Sequence, residues 1–331
     1  MSLADAARTI NATAYGYISS WALLTAAEQR VFDRLPAASS DLSDTYPDAD
    51  LVDTWFHTLA ASGLVEHESD GDTWSLTDDM AKLLSGDNSY ADYLGGQIMQ
   101  QMTPRLMSGS AEQNVLAQVL ADPESRRGYE GWFADADEAH AYQSSQYAGS
   151  LGPAKALAAA LPDPTGRVLD LGGGWGAIAR AIAKRHGIDV DVVDFATVID
   201  SAPPADSTVT FHDGNALDPS TWPTSTDSVR YDGAVLSYLF SSIPGSEHDR
   251  LLGALADRGV RWIAVHDFMV GGGTWAAAWS LQHAVFVPGH TSRSSDEVNA
   301  MLQRHGFTPV STGPLVDEMT TLTVGVRSST E

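Results

Sequence analysis

The chain has 331 residues, of which 43% are hydrophobic and 8% aromatic, which is typical of a globular protein long enough for two domains. Its 43 acidic and 19 basic residues give a net charge of -24, so we expect neither nucleic acid nor a membrane surface as a partner. The absence of cysteine excludes disulfides, thiolate metal ligands and cysteine nucleophiles. No secretory signal and no apolar run of about 20 residues is visible, which predicts a cytoplasmic protein.

The first elements in chain order are helical. In "WALLTAAEQRVFDRL", residues 21–35, apolar side chains recur at helical spacing and predict one helix. Residues 51–84 then predict a helix that ends at Gly63, two short strands around "DGD", and a helix capped by Thr77. Helix, two-stranded wing and helix together make a winged-helix arrangement.

A winged helix suggests DNA binding, but the charge of this segment argues against it. Lys82 is the only lysine or arginine between Leu51 and Leu84. The acidic residues of the same stretch are Asp53, Glu66, Glu68, Asp70, Asp72, Asp78 and Asp79. Because a DNA reader needs several phosphate contacts from lysine or arginine, we expect a helical dimerisation domain that reuses this topology.

From Thr165 onward, strands and helices alternate. Strands are predicted at "RVLDLG", "DVDVVDF", "STVTFHDG", "YDGAVLSYLF" and "VRWIAVHDF", helices at "GAIARAIAKRHG", "EHDRLLGALADRG" and "SSDEVNAMLQRHGF", and two closing strands at "TPVSTG" and "MTTLTVGVRSS". Continuous Val, Ile and Leu runs indicate parallel strands buried on both faces. The pattern predicts a doubly wound α/β sheet whose last two strands form a hairpin at one edge.

The stretch "VLDLGGGWG" joins the first of these strands to its helix. Glycines in such a turn let a ligand lie against backbone amides at a helix N-terminus. Gly172, Gly174 and Ala177 fit the dinucleotide pattern G-x-G-x-x-A, whereas the Walker pattern is absent. A turn that only packs the helix against the strand is the alternative without a ligand.

Two acidic residues narrow the choice of ligand. Asp170, at the mouth of the glycine loop, would repel a pyrophosphate but pair with a cation. Asp194 ends the next strand, where a carboxylate can accept hydrogen bonds from both hydroxyls of a ribose. An adenosyl ligand that carries an ammonium and a sulfonium, and no phosphate, satisfies both acids. We therefore expect S-adenosylmethionine as the cofactor.

With these motifs, the chain resembles the two-domain small-molecule O-methyltransferases of plants and of bacterial secondary metabolism. Residues 51–84 are similar to the family's winged-helix segment, and "YEGWFADADEAHAYQSSQYAGSLGPAKALAAAL" resembles its linker helices. "VLDLGGGWG" and "VDFATVI" resemble its first two cofactor motifs. The resemblance implies a winged-helix-like dimerisation domain at 1–110, a helical linker at 111–160, and at 161–331 a catalytic domain with a Rossmann-like, seven-stranded class I methyltransferase sheet.

The resemblance also implies a function: methyl transfer from S-adenosylmethionine to the oxygen of a small-molecule acceptor, by a homodimer. In "FHDGNALD", Asn215 replaces the aspartate that holds the adenine in relatives, and its side-chain oxygen can still accept from the adenine amino group. The cofactor residues implied are Asp170, Gly172, Gly173, Gly174, Gly176, Asp194, Phe195, Asp213, Asn215 and Ser237.

The sequence departs from the family at the catalytic base. Relatives carry His-Asp-Trp after the fourth strand, where this chain has Ser241, Ser242 and Ile243. Serine is a poor general base, so another group must act or the acceptor must already be acidic. We expect His248, seven residues later, to be a solvated histidine on the next helix.

Three other residues are candidates for the catalytic role. His266 and Asp267 end a strand where open α/β sheets bind ligands, and only one of two consecutive strand residues can face the pocket. His283 lies in a segment that lines the acceptor pocket in relatives, and is either a pocket residue or a core histidine. His290, in a Pro-Gly-His loop, is expected to be exposed.

The acceptor and the transferred position stay open at this stage. Methyl transfer from a sulfonium mainly requires alignment, so C-methylation of a 2-oxo acid, N-methylation, a relative that keeps the cofactor for another reaction, and a non-catalytic binding protein are alternatives. Relatives that methylate 2-oxo acids use a histidine-bound metal, but one ligand would fall at Ser241, so we expect none. Four aromatic residues are either a pocket wall or core: Phe268, Trp275, Trp279 and Phe286.

Overall fold

A computed structural model describes residues 25–85 and 118–327, with short gaps at 28, 44, 47–48, 69, 71, 120–121, 127, 205, 225–229, 272 and 317–319, and isolated positions from 9 to 23. The chain divides into two compact units, Met1–Ser108 and Gly109–Glu331. The domain boundary predicted at residue 110 and the side chain of Trp275 lie outside the described residues.

The first unit has the predicted succession of helix, wing and helix. Its elements are a 3-10 helix at Val31–Arg34, strands β1 (Ala37–Ala38), β2 (Glu66–Glu68) and β3 (Thr73–Ser75), and helices α1 (Ser39–Ser43), α2 (Ala49–Ala61) and α3 (Asp78–Leu84). The three strands pair antiparallel in the order β1-β3-β2. Phe56 and Trp74 are fully buried and centre a small core between α2 and the wing.

In this unit, the two helix ends predicted from sequence are confirmed, whereas one predicted helix is wrong. Gly63 has a φ of 72°, and the Thr77 side chain accepts a hydrogen bond from the Met80 amide, so both predicted helix ends are confirmed. The single helix predicted over residues 21–35 is wrong. The chain turns at Arg30, whose φ is 52°, and continues as a 3-10 helix. The apolar spacing came from two short segments that share one core.

The second unit has the elements of a doubly wound fold. Its helices are a 3-10 helix at Pro123–Ser125, α4 (Gly128–Trp132), α5 (Ala136–Ala160), α6 (Ala177–His186), α7 (Ala196–Ile199), a 3-10 helix at Phe240–Ser242, α8 (Glu247–Asp257), α9 (Gly273–Phe286) and α10 (Ser295–Arg304). Its strands are β4 (Arg167–Leu171), β5 (Val190–Asp194), β6 (Val209–Asp213), β7 (Tyr231–Ser237), β8 (Trp262–Asp267), β9 (Phe307–Val316) and β10 (Thr320–Arg327). None of the described helices is long and apolar enough to cross a membrane.

The strands form one seven-stranded sheet in the order β6-β5-β4-β7-β8-β10-β9. Strands β4 to β8 pair parallel to their neighbours, whereas β10 runs antiparallel between β8 and β9. The predicted doubly wound fold and the closing hairpin are therefore confirmed. The strand order reverses between β4 and β7, which is where such sheets leave a crevice for ligands.

Alternate side chains of each central strand enter different cores. Leu169 and Leu171 pack with α8 and α10 on one face, whereas Val168 packs with α5 and α6 on the other. A parallel sheet with both faces covered needs apolar residues at every position. The carboxyl ends of β4, β5 and β7 are consequently fixed by packing on both sides, and the loops that follow them start from rigid positions.

Candidate functional site

A cavity of about 360 Å³ lies at the carboxyl ends of β4, β5, β6 and β7. One end is lined by Gly172, Gly173, Gly174, Val193, Asp194, Phe195, Gly214, Asn215, Ala216 and Ser237. The other end is lined by Tyr129, Phe133, Tyr142, Ser242, Pro244, Val287 and Pro288. Gln143, Gln146 and Tyr147 of α5 also line the cavity, with Gln143 beside Gly174 and the Tyr147 ring beside Trp175. Among the described lining residues, Glu130 and Asp194 are acidic and none is lysine, arginine or histidine.

The glycine loop needs glycine for two separate reasons. Gly172, Gly174 and Gly176 have φ values of 67°, 56° and 76°, a region that strains any other L residue. A Cβ on Gly174 would also overlap the side-chain amide of Gln143 from α5. The loop therefore brings backbone amides to the cavity directly before α6 begins.

Asp194 joins the end of β5 to this loop. One carboxylate oxygen accepts the Gly174 amide and the other accepts the Phe195 amide, each at 2.8 Å. Burial raises the pKa of Asp194 to about 6, although both backbone hydrogen bonds lower it. The carboxylate lines the cavity, and each oxygen keeps a lone pair for a ligand hydroxyl.

Asp170 lies behind the loop, and the predicted position at its mouth is wrong. The loop turns back over the carboxylate, and a Cβ on Gly173 would come within 2.6 Å of an Asp170 oxygen. The residue is fully buried, and among the described residues neither oxygen has a hydrogen-bond partner. Burial is the main cause that raises the pKa of Asp170 to about 7, and the charge of Asp194 adds to it. The Ala179 backbone amide lowers this pKa, although its geometry does not meet that of a hydrogen bond.

The remaining predicted cofactor residues divide between the cavity and the surface. Phe195, Asn215 and Ser237 line the cavity. The Asn215 side-chain oxygen accepts the Leu217 amide at 2.8 Å, which leaves one lone pair for a ligand. The expectation for Asp213 is not met, because its side chain is exposed at the end of β6 and is not among the cavity-lining residues.

The acceptor end of the cavity comes from residues that the sequence analysis did not name. Tyr129 lies in α4 and Phe133 directly after it, whereas Tyr142, Gln143 and Tyr147 lie in the N-terminal half of α5. Spacings of three, four and five between aromatic residues in "YEGWFADADEAHAYQSSQY" were a usable signal. Their contribution to the cavity depends on how α4 and α5 dock on the sheet.

A hydrogen-bonded chain leads from this end into the core. The Tyr142 and Tyr129 hydroxyls lie 3.1 Å apart, and the Tyr129 hydroxyl lies 3.0 Å from Nε2 of His283. Nδ1 of His283 lies 3.0 Å from the Trp279 carbonyl oxygen. His283 is almost fully buried, and burial lowers its pKa to about 4.

Comparison with known proteins identifies the family to which the chain belongs. The sequence profile described as "Methyltransferase domain" matches residues 142–312, about half of the chain and most of the second unit. The chain belongs to the methyltransferase family. No curated protein sequence matches this methyltransferase.

Solved structures share the fold of this methyltransferase over its whole length. CalO1, a methyltransferase of calicheamicin biosynthesis with bound SAH, is 22% identical with a TM-score of 0.74, covering 99% of this chain and 100% of its own. Human N-acetylserotonin methyltransferase with SAM is 16% identical with a TM-score of 0.77 and the same coverage. NcsB1 of neocarzinostatin biosynthesis, with SAM and 2-hydroxy-5-methyl naphthoic acid, is 18% identical with a TM-score of 0.65, covering 93% and 96%.

Two of the predicted catalytic residues of the methyltransferase lie in the sheet. His266 is fully buried between the Ser237 hydroxyl and the Thr320 hydroxyl, each at 2.9 Å, and burial lowers its pKa to about 3. Asp267 accepts the amides of Ser241 and Phe268, and burial raises its pKa to about 6. Neither is among the residues that line the large cavity.

The serine pair at the family's catalytic-base position is split between two environments. Ser242 lines the large cavity, whereas Ser241 faces a separate cleft of about 10 Å³ beside Asp267. Both hydroxyls donate to the Tyr238 carbonyl oxygen. A hydroxyl held as a donor to a carbonyl supports the view that neither serine is a base.

The expectations for His248 and His290 are wrong. His248 is fully buried, its ring stacks on Phe240, and its Nε2 lies 2.9 Å from the Phe240 carbonyl oxygen. Burial lowers the pKa of His248 to about 4. His290 is half-buried, with Nδ1 3.0 Å from the Ser241 carbonyl oxygen. Both histidines sit where α8 and the loop after α9 close over the serine pair.

The predicted aromatic wall belongs to packing outside the cavity. Phe268 and Trp279 stack on each other at 4.3 Å between ring centroids, and Phe286 stacks on Trp132 at 5.9 Å. None of the three is among the described lining residues. Within the described part of the chain, no group of three or more His, Asp or Glu side chains is arranged to hold a metal ion.

Proposed function

We propose that the protein transfers the methyl group of S-adenosylmethionine to the oxygen of a small aromatic acceptor in secondary metabolism. One observation carries the proposal: a single cavity joins the glycine loop and Asp194 at one end to tyrosine and phenylalanine side chains at the other. Donor and acceptor can therefore meet in one cavity. Since the donor supplies an activated methyl group, the chain must mainly align the acceptor and exclude water.

The residues at the first end fit the proposed cofactor. Left-handed glycines clear the space above α6, and the Asp194 carboxylate can accept ribose hydroxyls. Asp170 is a buried carboxylate without a hydrogen-bond partner among the described residues, so a nearby positive charge would stabilise its ionised form. Asn215 and Phe195 would bound the adenine.

The residues at the second end support an aromatic hydroxyl as the acceptor. Tyr129, Phe133 and Tyr142 offer ring faces for stacking together with two phenolic hydroxyls. No described lining residue is a cation that would hold the carboxylate of a 2-oxo acid, which argues against C-methylation of that class. NcsB1, whose fold is shared, was crystallised with a hydroxylated naphthoic acid. The aromatic hydroxyl of that ligand is the feature relevant here, since the described lining residues offer no cation for its carboxylate.

We also propose that the protein acts as a homodimer through its first unit. The support is the winged-helix topology of that unit together with its acidic surface, which does not suit DNA. Light scattering on the purified protein tests this, and a mass of one chain at all concentrations would contradict it.

The function is tested by product analysis. The protein is incubated with S-adenosylmethionine and a panel of phenols, hydroxynaphthoic acids and 2-oxo acids, and masses are measured. We expect one added methyl group on the oxygen of an aromatic acceptor and an equal amount of S-adenosylhomocysteine. Demethylated cofactor with methyl on carbon, or no transfer to any member of the panel, would contradict the proposal.

A further inference from the structure

The hydrogen-bonded chain from Tyr142 through Tyr129 to His283 has a defined direction. A carbonyl oxygen only accepts, so Nδ1 of His283 must carry the hydrogen that points to Trp279. Neutral His283 therefore presents Nε2 as an acceptor, and the Tyr129 hydroxyl donates to it. The Tyr129 oxygen is then free to accept from the Tyr142 hydroxyl. Every hydrogen in the chain points away from the Tyr142 oxygen and towards the Trp279 carbonyl oxygen.

The cavity end of the chain is consequently an acceptor. The Tyr142 oxygen has lone pairs but no free hydrogen, and Tyr142 lines the cavity. Burial raises the pKa of Tyr142 to about 12, and the charge of Asp194 adds to this, although the hydrogen bond with Tyr129 lowers it. The Tyr142 hydroxyl therefore stays protonated. Tyr142 can pass a proton on only by receiving another from a donor in the cavity.

We propose that Tyr142, Tyr129 and His283 form a proton relay that takes the hydroxyl proton of the acceptor during methyl transfer. This inference rests on the proposed function. Tyr142 touches the acceptor, whereas Tyr129 extends the chain and His283 acts through both tyrosines. The relay supplies the base that Ser241 cannot, from elements on the opposite side of the cavity.

The step balances in atoms and charge. The acceptor oxygen bonds to the methyl carbon, and the carbon–sulfur bond breaks with its electron pair on sulfur. The acceptor proton moves to the Tyr142 oxygen, the Tyr142 proton to the Tyr129 oxygen, and the Tyr129 proton to Nε2 of His283. One positive charge leaves sulfur as one appears on imidazole. The low pKa of His283 then favours release of the proton after turnover.

Several neighbouring side chains shift the pKa values of the relay residues, each in a defined direction. His290 faces His283 at 6.3 Å between ring centroids, and its charge lowers the pKa of His283. For Tyr129, burial and then Tyr142 raise the pKa and the Ser242 hydroxyl lowers it. The charge of Asp267, from β8, makes a smaller contribution that raises the pKa of both tyrosines. Asp194 from β5 acts on Tyr142 in the same sense. At His283 itself, burial and His290 disfavour the imidazolium and the hydrogen bond to the Trp279 carbonyl oxygen favours it, so the imidazolium would be short-lived.

The direction of the relay is tested first, without turnover. In protein labelled with nitrogen-15 at histidine, long-range nitrogen–proton NMR reports which ring nitrogen carries the hydrogen. We expect His283 to carry it on Nδ1, and Tyr129→Phe to shift the Nε2 resonance of His283. His248 is an internal control of the opposite form, because its Nε2 faces a carbonyl oxygen. A hydrogen on Nε2 of His283 would overturn the relay.

Turnover is tested with two acceptors of different acidity. From the panel, an ordinary phenol and its nitro-substituted analogue, already ionised in the assay, are compared. We expect Tyr142→Phe and Tyr129→Phe to lower kcat for the ordinary phenol by roughly 100-fold or more, and to affect the ionised one far less. Calorimetry with S-adenosylmethionine checks that cofactor binding is retained.

The ratio of the two rates separates a relay from a structural role. Tyr231→Phe is the control: its hydroxyl donates to Asp191, outside both the cavity and the chain, so this ratio should stay at the wild-type value. Equal losses on both acceptors in the relay variants would overturn the relay while leaving the proposed function intact. A wild-type protein that methylates no phenol would instead remove the proposed function, and the relay with it.

Discussion

Asp194 holds the glycine loop in place and faces the cavity with the same carboxylate. Its two oxygens fix the Gly174 and Phe195 amides, which aligns the loop before any ligand enters. A carboxylate is required on both counts, because an amide nitrogen cannot accept from a backbone N–H. The residue that the resemblance named as the ribose acid is therefore also part of the loop's own structure.

Replacing this carboxylate by its amide tests the role directly. We expect Asp194→Asn to weaken S-adenosylmethionine binding by roughly 10- to 100-fold, since hydrogen bonds to charged groups contribute about 1.5–3 kcal/mol. Isothermal calorimetry measures the change. Asp213→Asn is the matched control: Asp213 pairs in register with Asp194 on the adjacent strand but is exposed, so its affinity should stay at the wild-type value. Comparable losses in both variants would contradict this arrangement.

At the scale of elements, the glycine loop and α5 constrain each other. Gln143 is buried, and its side-chain amide lies where a Cβ on Gly174 would be. A side chain at residue 174 would therefore require the Gln143 side-chain amide to move, in addition to the strain of the positive φ. This contact connects the acceptor wall to the cofactor end of the cavity.

A pair of glycine substitutions separates crowding from backbone strain. Gly174→Ala should reduce S-adenosylmethionine affinity at least roughly tenfold and lower the melting temperature, since it adds both strain and overlap with Gln143. Gly187 has a φ of 66°, and no described atom lies within 4 Å of the position that its Cβ would take, so Gly187→Ala measures strain alone. Gly174→Ala combined with Gln143→Ala should recover part of the loss. Equal effects of the two glycine variants would refute the crowding argument.

The elements that were predictable from sequence are those with local causes. The caps at Gly63 and Thr77, and the Val, Ile and Leu runs of β4 to β8, depend on residues within a few positions. His248 was predicted to be exposed because its burial comes from Phe240 and from Arg293, 45 positions away. The aromatic wall was missed for the same reason, since α4 and α5 precede the sheet against which they pack.

At the scale of the whole molecule, buried titratable groups act on stability in opposite directions. Burial raises the pKa values of Asp170, Asp194 and Asp267, so the folded protein binds protons that the unfolded chain has released, and stability falls as pH rises through this window. Burial lowers the pKa values of His248, His266 and His283, so stability falls as pH decreases below 6.5. In mildly acidic solution, a fall in pH therefore increases stability through the three buried acids and decreases it through the three buried histidines.

Asp170→Asn should remove the loss of stability that wild-type protein shows as Asp170 ionises at rising pH. The pKa of Asp170 is raised from 3.8 to about 7. Ionisation of Asp170 therefore does not destabilise the fold below pH 3.8, and its full destabilising effect is present above pH 7. We expect the free energy of unfolding of the variant, relative to wild type, to rise between these limits by on the order of 4 kcal/mol. Urea unfolding across this pH range, without ligand, measures the difference. A constant difference between the two proteins would show that Asp170 titrates normally.

The unpaired carboxylate beneath the glycine loop also links the proposed cofactor binding to pH. Burial and the neighbouring charge of Asp194 disfavour ionisation of Asp170, and none of its described neighbours supplies a compensating positive charge. A cationic donor bound in the adjacent cavity would favour the ionised carboxylate. Binding of such a donor would therefore release a proton, and the affinity for it would increase as pH rises.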